Sequence, residues 1–455
     1  MAERQSYRQV WARREYRVLF VATLVSVAGD QFARVGLSVL VYDRTRSAGL
    51  TALTYALTYL PDVLAGPLLS GLADRWPRRR VMIIADLTRA VLVALMAIPG
   101  IPLAVVAGLL VLVQAAGAPG NAARAAVLVA VLPDADEYVL GKGAMDMVVQ
   151  LAQVGGFAGG GALVAGVGAG DALVADAATF AVSAAVVWFG IARRPVPVAD
   201  GVVAMAGLAR WWSDVSAGTR LVLTTPRLRA LVGLACVAAF SGTVEGLAAP
   251  YAAGLGSGAA AVGLLLAASP AGAVLGMALV SRLPAAVRDR LMAPLALAAC
   301  LPLVVCFVRP SLGVTVALWA ISGAASAYHL PASAAFVRAV PDHRRGQAFG
   351  LAATALKTSQ GLGIAAAGLA ADRAPAAVVV AVAGGLGSLA ASRPRPVLNP
   401  VSDPSSTRCQ GGTIRCPAGT TRCRAGTTRC RGCCSTRFRA RSWRKAFLAG
   451  VAPGG

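Results

Sequence analysis

Stretches of roughly 17 to 25 residues with at most one charged side chain recur along most of this chain, and each is long enough to cross the hydrocarbon core of a bilayer as a helix. A soluble fold of 455 residues interleaves charge through every such stretch. Here 57% of residues are hydrophobic, 14% are charged, and the mean hydropathy is +0.67. The solvent for these segments is therefore lipid. Apolar windows fall near 17–41, 49–72, 81–98, 103–131, 145–168 and 172–191, then near 230–250, 258–281, 291–308, 312–337, 347–370 and 375–391. The expected fold is an all-α integral membrane protein of twelve transmembrane helices in two six-helix halves.

The division predicts an N-terminal half over 1–192, a connecting loop over 193–229, a C-terminal half over 230–392 and a tail over 393–455. The connecting loop carries Arg193, Arg194, Arg210, the Trp211–Trp212 pair, Asp214, Arg220, Arg227 and Arg229, and its middle can lie as a surface helix or as an ordinary loop. Orientation follows from where short loops carry arginine. The N-terminus, the loop at Arg75–Arg80, the central segment and the loops at Arg282–Arg290 and Arg338–Arg345 are basic, so both termini are expected in the cytoplasm. Residues 132–142 read as a loop and fit less well, with Asp134, Asp136 and Glu137 against Lys142. The basic N-terminus leads into a full span with no small-residue cleavage site, so the first helix is expected to act as its own insertion signal.

A net charge of +23 raises the question of nucleic acid, but position answers it. About half the excess lies in residues 393–455, where thirteen Arg or Lys face the single acid Asp403. The rest sits on loops, so no nucleic-acid partner is read from it; anionic lipid headgroups are the expected neighbours. In the tail Cys409, Cys416, Cys423 and Cys430 recur every seven residues without the paired knuckles or core of a zinc site, and the segment reads as disordered low complexity. Cys236, Cys300 and Cys306 lie in apolar spans as small hydrophobes. No metal and no cofactor are expected.

After the second window comes Gly71-Leu-Ala-Asp74-Arg75-Trp-Pro77-Arg78-Arg79-Arg80, which resembles the signature G-x-x-x-D-R-x-G-R-R of the major facilitator superfamily, with one residue fewer between Gly71 and Asp74 and with Pro77 where the signature has glycine. The segments GDQFARVGLSVLVYDRTRSAG, LVADAATFAVSAAVV and PDHRRGQAFGL are similar to the branch of macrolide-efflux and enterobactin-exporter proteins. The resemblance implies the two-half transporter fold, and it implies that Gly71, Asp74, Arg75, Arg78 and Arg79 are gating residues that latch the halves. GFAGGGALVAG in the fifth window resembles the antiporter motif, with Gly160 where proline is usual, and so favours export.

An ionisable group at membrane depth costs about 2.5–3.5 kcal/mol on insertion scales, so each is a functional candidate. Asp30 lies midway along the first window, and Arg34 shares its helix face four residues on. The pair is read either as a proton-coupling site or as a static buried ion pair. Glu245 in the seventh window has no base within a turn or two and should face a central cavity. Arg124 reads as an end residue reaching for the headgroups, and Asp146, Gln150 and Asp176 as polar helix ends.

These features predict a monomeric secondary active transporter of the cell membrane, exchanging protons for a drug-like or secondary-metabolite small molecule by alternating access. No G-x-x-x-x-G-K-[ST] is present to use ATP, and no catalytic motif marks an enzyme. An importer on the same fold, or a transport-inactive receptor or defective product, are the alternatives.

Overall fold

Lipid offers the backbone no hydrogen-bond partners, so spanning segments must satisfy their own amides, and runs rich in Ala, Val, Leu and Gly do so as helices. The computed structural model describes residues 8–59, 76–194, 219–340 and 345–392. Within them every regular element is helical. The N-terminal half holds α1 (Arg14–Thr45), α2 (Ala48–Ala56), α3 (Arg78–Met96), α4 (Leu103–Val131), α5 (Ala135–Val167) and α6 (Ala169–Gly190). The C-terminal half holds α7 (Pro226–Ala235), α8 (Ala238–Ser241), α9 (Thr243–Gly254), α10 (Ala259–Ser281), α11 (Ala285–Val304), α12 (Leu312–Ala325), α13 (His329–Ala339), α14 (Arg345–Ala371) and α15 (Ala376–Ser392). The expected tail lies outside the described residues, as do most of the connecting loop and the second window beyond Tyr59.

Seven segments are long and apolar enough to cross a membrane: Arg14–Thr45, Leu103–Val131, Leu140–Val167, Ala169–Gly190, Pro226–Gly254, Ala259–Ser281 and Ala286–Val308. Ala376–Ser392 is apolar but shorter. The protein is thus a multi-pass helical membrane protein, with fewer self-evident spans among the described residues than the twelve expected. The third window is helical but interrupted by charge, since α3 carries Arg78, Arg79, Arg80, Asp86 and Arg89.

Three local outcomes differ from the sequence reading. Residues 135–142 are helical, because the Asp134 side chain accepts from the Glu137 amide at 3.1 Å and starts α5 there. The last residues expected in the connecting loop are helical too: Thr219–Thr224 form helix, and Pro226 opens α7 at a position where its missing N–H costs nothing. The seventh and tenth windows are broken. The seventh is divided into α7, α8 and α9 at Cys236–Val237 and Gly242, and the tenth into α12 and α13 by a 3-10 turn at Ser326–Tyr328.

The packing separates two ends. At the basic end, marked by Arg13, Arg78 and Lys142 in one half and Arg282, Arg288 and Arg338 in the other, each half has its own apolar core. One core joins Tyr16, Leu19, Met82, Val127, Leu132 and Val187; the other joins Leu228, Leu234, Met292, Tyr328 and Phe336. At the far end one core runs through both halves, joining Val35, Ala52, Tyr55 and Phe157 to Leu247, Leu265, Trp319 and Ile364, beside a smaller one of Leu37, Met96, Val106 and Leu173 within the N-terminal half. One contact inside it is made by backbone alone: a Cβ on Gly161 of α5 would lie 2.7 Å from Gly263 Cα on α10. Glycine at both positions lets the two halves touch main chain to main chain.

Candidate functional site

Helices α1, α3, α4 and α5, with Thr58 just beyond α2, line a cavity of about 330 Å³. It runs from Leu19, Leu128 and Lys142 at the basic end to Arg34, Thr58 and Gln114 at mid-depth. Asp30, Arg89, Asn121 and Arg124 also line it, so the polar side chains of otherwise apolar helices converge on one space.

Asp30 and Arg34 share this cavity, but they do not pair with each other. The partner of Asp30 is Arg89 on α3, whose Nη2 donates to Oδ1 at 2.7 Å. Arg34 makes no ion pair with a described residue and instead lies over two rings, 5.8 Å from the centroid of Tyr55 and 5.9 Å from that of Tyr59. Tyr59 then reaches the other half, donating its hydroxyl to Glu245 Oε2 at 2.5 Å. Arg34 and Glu245 therefore meet through an aromatic bridge, and Glu245 has a hydrogen-bond partner that its own helix could not supply.

A second buried pair was not anticipated. Arg124 Nη2 donates to both carboxylate oxygens of Asp86 at 2.7 Å, and the Ser183 hydroxyl donates to Asp86 Oδ2 at 2.8 Å. Arg124 is thus an interior ion-pair partner joining α4 to α3 and α6, not a headgroup anchor, because α4 continues two turns beyond it to Val131. Asp176 is likewise no exposed helix end: it is 1% exposed, with the Thr179 hydroxyl 3.3 Å from Oδ1. Asp86 and Arg89 were readable, since both are charges inside the third apolar window; their pairing was not, since the partners lie on other helices. Asp146, by contrast, is exposed at the basic end and bridged to Lys142.

Of the motif residues, Gly71, Asp74 and Arg75 lie outside the described residues. Arg78 donates to the Ala126 carbonyl at 3.1 Å, and Arg79 donates to the Trp188 carbonyl while lying 5.1 Å from a Trp188 ring centroid. Both contacts hold α3 to neighbours in its own half. At the far end a carboxylate joins the halves: Asp372 Oδ1, just after α14, accepts from the Gly49 amide at 2.8 Å and the Ser47 hydroxyl at 3.0 Å. Those donors form the N-terminus of α2, where unpaired amides favour an anion.

A family model described as Major Facilitator Superfamily matches residues 19–283. No curated protein matches the chain in sequence. In fold the chain is similar to the nucleoside transporter NupG, at a TM-score of 0.69 and 13% identity, covering 83% of this chain and 98% of that one. It is similar to a POT family transporter in complex with 5-aminolevulinic acid, at 0.65 and 12%, covering 83% and 95%. It is also similar to a bacterial homolog of the human lysosomal transporter Spinster, in an inward-facing and unoccupied conformation, at 0.58 and 18%, covering 85% and 93%.

Proposed function

The chain belongs to the Major Facilitator Superfamily, a family of transporters and not of enzymes, and from that premise we propose that it is a secondary active carrier exporting a drug-like or secondary-metabolite molecule in exchange for protons. The observation that carries this reading is the inequality of the two ends. One core spans both halves at the far end, while at the basic end each half keeps a core of its own and a polar cavity opens among the helices of the N-terminal half. Two halves joined at one end and parted at the other are what alternating access requires of a single state. With the basic end cytoplasmic, this state faces inward in the cell membrane, both termini are cytoplasmic, and twelve spans result once the second window is completed.

In this reading the small molecule enters between the halves and meets Asp30, Arg34 and Glu245, which sense its charge and the arrival of protons. Gly71, Asp74, Arg75, Arg78 and Arg79 close the basic end when the far end opens. The test uses inverted membrane vesicles with an acidified lumen. Candidate compounds are expected to accumulate only while the gradient stands, and accumulation that ignores the gradient, or none with the whole panel, would count against a proton-coupled exporter. Accumulation driven in the opposite orientation would select the importer.

The far-end closure gives a separate prediction. Hydrogen bonds to a charged group contribute about 1.5–3 kcal/mol each when sheltered and less where water competes, as it does at Ser47. Asp372→Ala removes two of them. The population open at the far end is expected to rise by about tenfold, the equivalent of about 1.4 kcal/mol. Ala48, buried in this state, reports it: an Ala48→Cys probe should react faster with an impermeant thiol reagent from outside when Asp372 is absent. Equal rates in the two backgrounds would mean that the carboxylate does not hold the closure.

A further inference from the structure

Arg89 has two acids near it and one guanidinium to offer. Its Nη2 is spent on Asp30, and its Cζ lies 4.0 Å from the centroid of Phe180, which follows Asp176 by one turn on α6. Asp176 makes no ion pair with any described residue, and its carboxyl is buried. The helices come together here because residue 29 is glycine. A Cβ at Gly29 would lie 2.5 Å from Asp176 Oδ1 and would collide with the Thr179 hydroxyl. Asp176 is therefore packed against the residue that immediately precedes Asp30.

The charges facing Asp176 are Asp30 and Arg34 from α1 and Arg89 from α3. On α3, Asp86 is occupied by Arg124. The neighbouring stretch of α5, Gly155–Val164, reads GGFAGGGALV and brings no charge. Arg34 lies in the field of Glu245 as well as that of Asp30. The cluster thus holds three carboxyls and two guanidiniums. Fully ionised, it would keep one negative charge uncompensated inside the protein, an arrangement that buried sites do not sustain.

We infer that Asp30 and Asp176 share a single exchangeable proton, with Arg89 neutralising whichever of the two is ionised. In the present arrangement Arg89 serves Asp30, and the proton resides on Asp176. In the alternative one the O–H bond at Asp176 breaks, another forms at Asp30, and the guanidinium moves the opposite way, so the trio stays neutral throughout. Asp30 has a 29% exposed side chain lining the cavity, so the proton leaves to cavity water from there. The cluster then carries one negative charge, which a cationic group on a bound molecule can balance. Proton and cationic substrate thereby become alternative occupants of one charge site, a consequence that rests on the transporter reading, whereas the shared proton does not. A proton suits the space better than a metal ion: even a Cβ at Gly29 would collide there, and the three carboxyls do not converge closely enough to hold a metal.

The full-length protein in lipid, measured by infrared spectroscopy, tests this without any substrate or flux. The C=O stretch of one protonated carboxylic acid is expected at neutral pH. It should vanish in Asp176→Asn, which removes the group, and also in Asp30→Asn, which frees Arg89 to ionise Asp176. Loss in the second variant is the signature of sharing, and it is readable even if the first fails to fold. A band that persists in Asp30→Asn, that vanishes instead in Glu245→Gln, or that is removed by sodium at fixed pH would overturn the proposal.

Discussion

Replacing Arg124 with methionine is expected to destabilise the protein by about 3–5 kcal/mol, the usual consequence of leaving one member of a buried ion pair behind. Asp86 would keep the Ser183 hydroxyl at 2.8 Å but lose the guanidinium that meets both of its oxygens. Its side chain is 2% exposed, so water cannot take over. The midpoint of thermal unfolding in detergent should fall well below that of the parent protein. Removing the acid at the same time, in Asp86→Leu with Arg124→Met, should recover most of the loss, because two apolar side chains ask nothing of each other. A double variant as unstable as Arg124→Met would mean that Arg124 stabilises by packing and not by answering Asp86.

Gly263→Leu is expected to abolish transport while leaving each half folded. A Cβ at this position would lie 2.5 Å from the Phe157 carbonyl and 2.6 Å from Gly161 Cα, and a leucine extends well beyond its Cβ. Overpacking of this kind costs about 1–3 kcal/mol where neighbours can shift, and here the neighbours are backbone. The halves must therefore part along α5 and α10. Gly155→Ala on α5 is the control. A Cβ there meets nothing within 4 Å, and alanine improves helix propensity by about 1 kcal/mol, so activity and stability should hold. Comparable flux from the two variants in reconstituted vesicles would show that the α5–α10 contact is not needed for the cycle.

Much of the architecture was legible because lipid punishes charge so consistently. The fourth window, 103–131, coincides with α4, and the eighth, 258–281, misses α10 by one residue. Breaks inside spans were less visible. Nothing in Cys236–Val237 or in Ser326–Tyr328 carries the punctuation of proline or paired glycines, and their turns are set by neighbouring helices. The site was legible as a list of costly charges and illegible as a set of partners. Asp30 and Arg34 share a helix face, which sequence spacing reveals, yet the guanidinium that binds Asp30 comes from fifty-nine residues away. Arg124 was misjudged for the same reason: its place along α4 was readable, but the Asp86 carboxylate that holds it comes from α3.

The broken spans also have a mechanical meaning. In the N-terminal half α1, α4, α5 and α6 run unbroken for 32, 29, 33 and 22 residues. In the C-terminal half the seventh span is built of pieces of 10, 4 and 12 residues, and the tenth of 14 and 11 around a three-residue 3-10 turn. Interrupted ladders of amide bonds yield to bending more readily than continuous ones. The seventh and tenth spans are then compliant elements among stiffer ones, such as α10 and α14 beside them. The strain of each change of state is taken up around Val237, Gly242 and Ala327, where backbone amides should exchange with solvent deuterium sooner than those of α4 or α5.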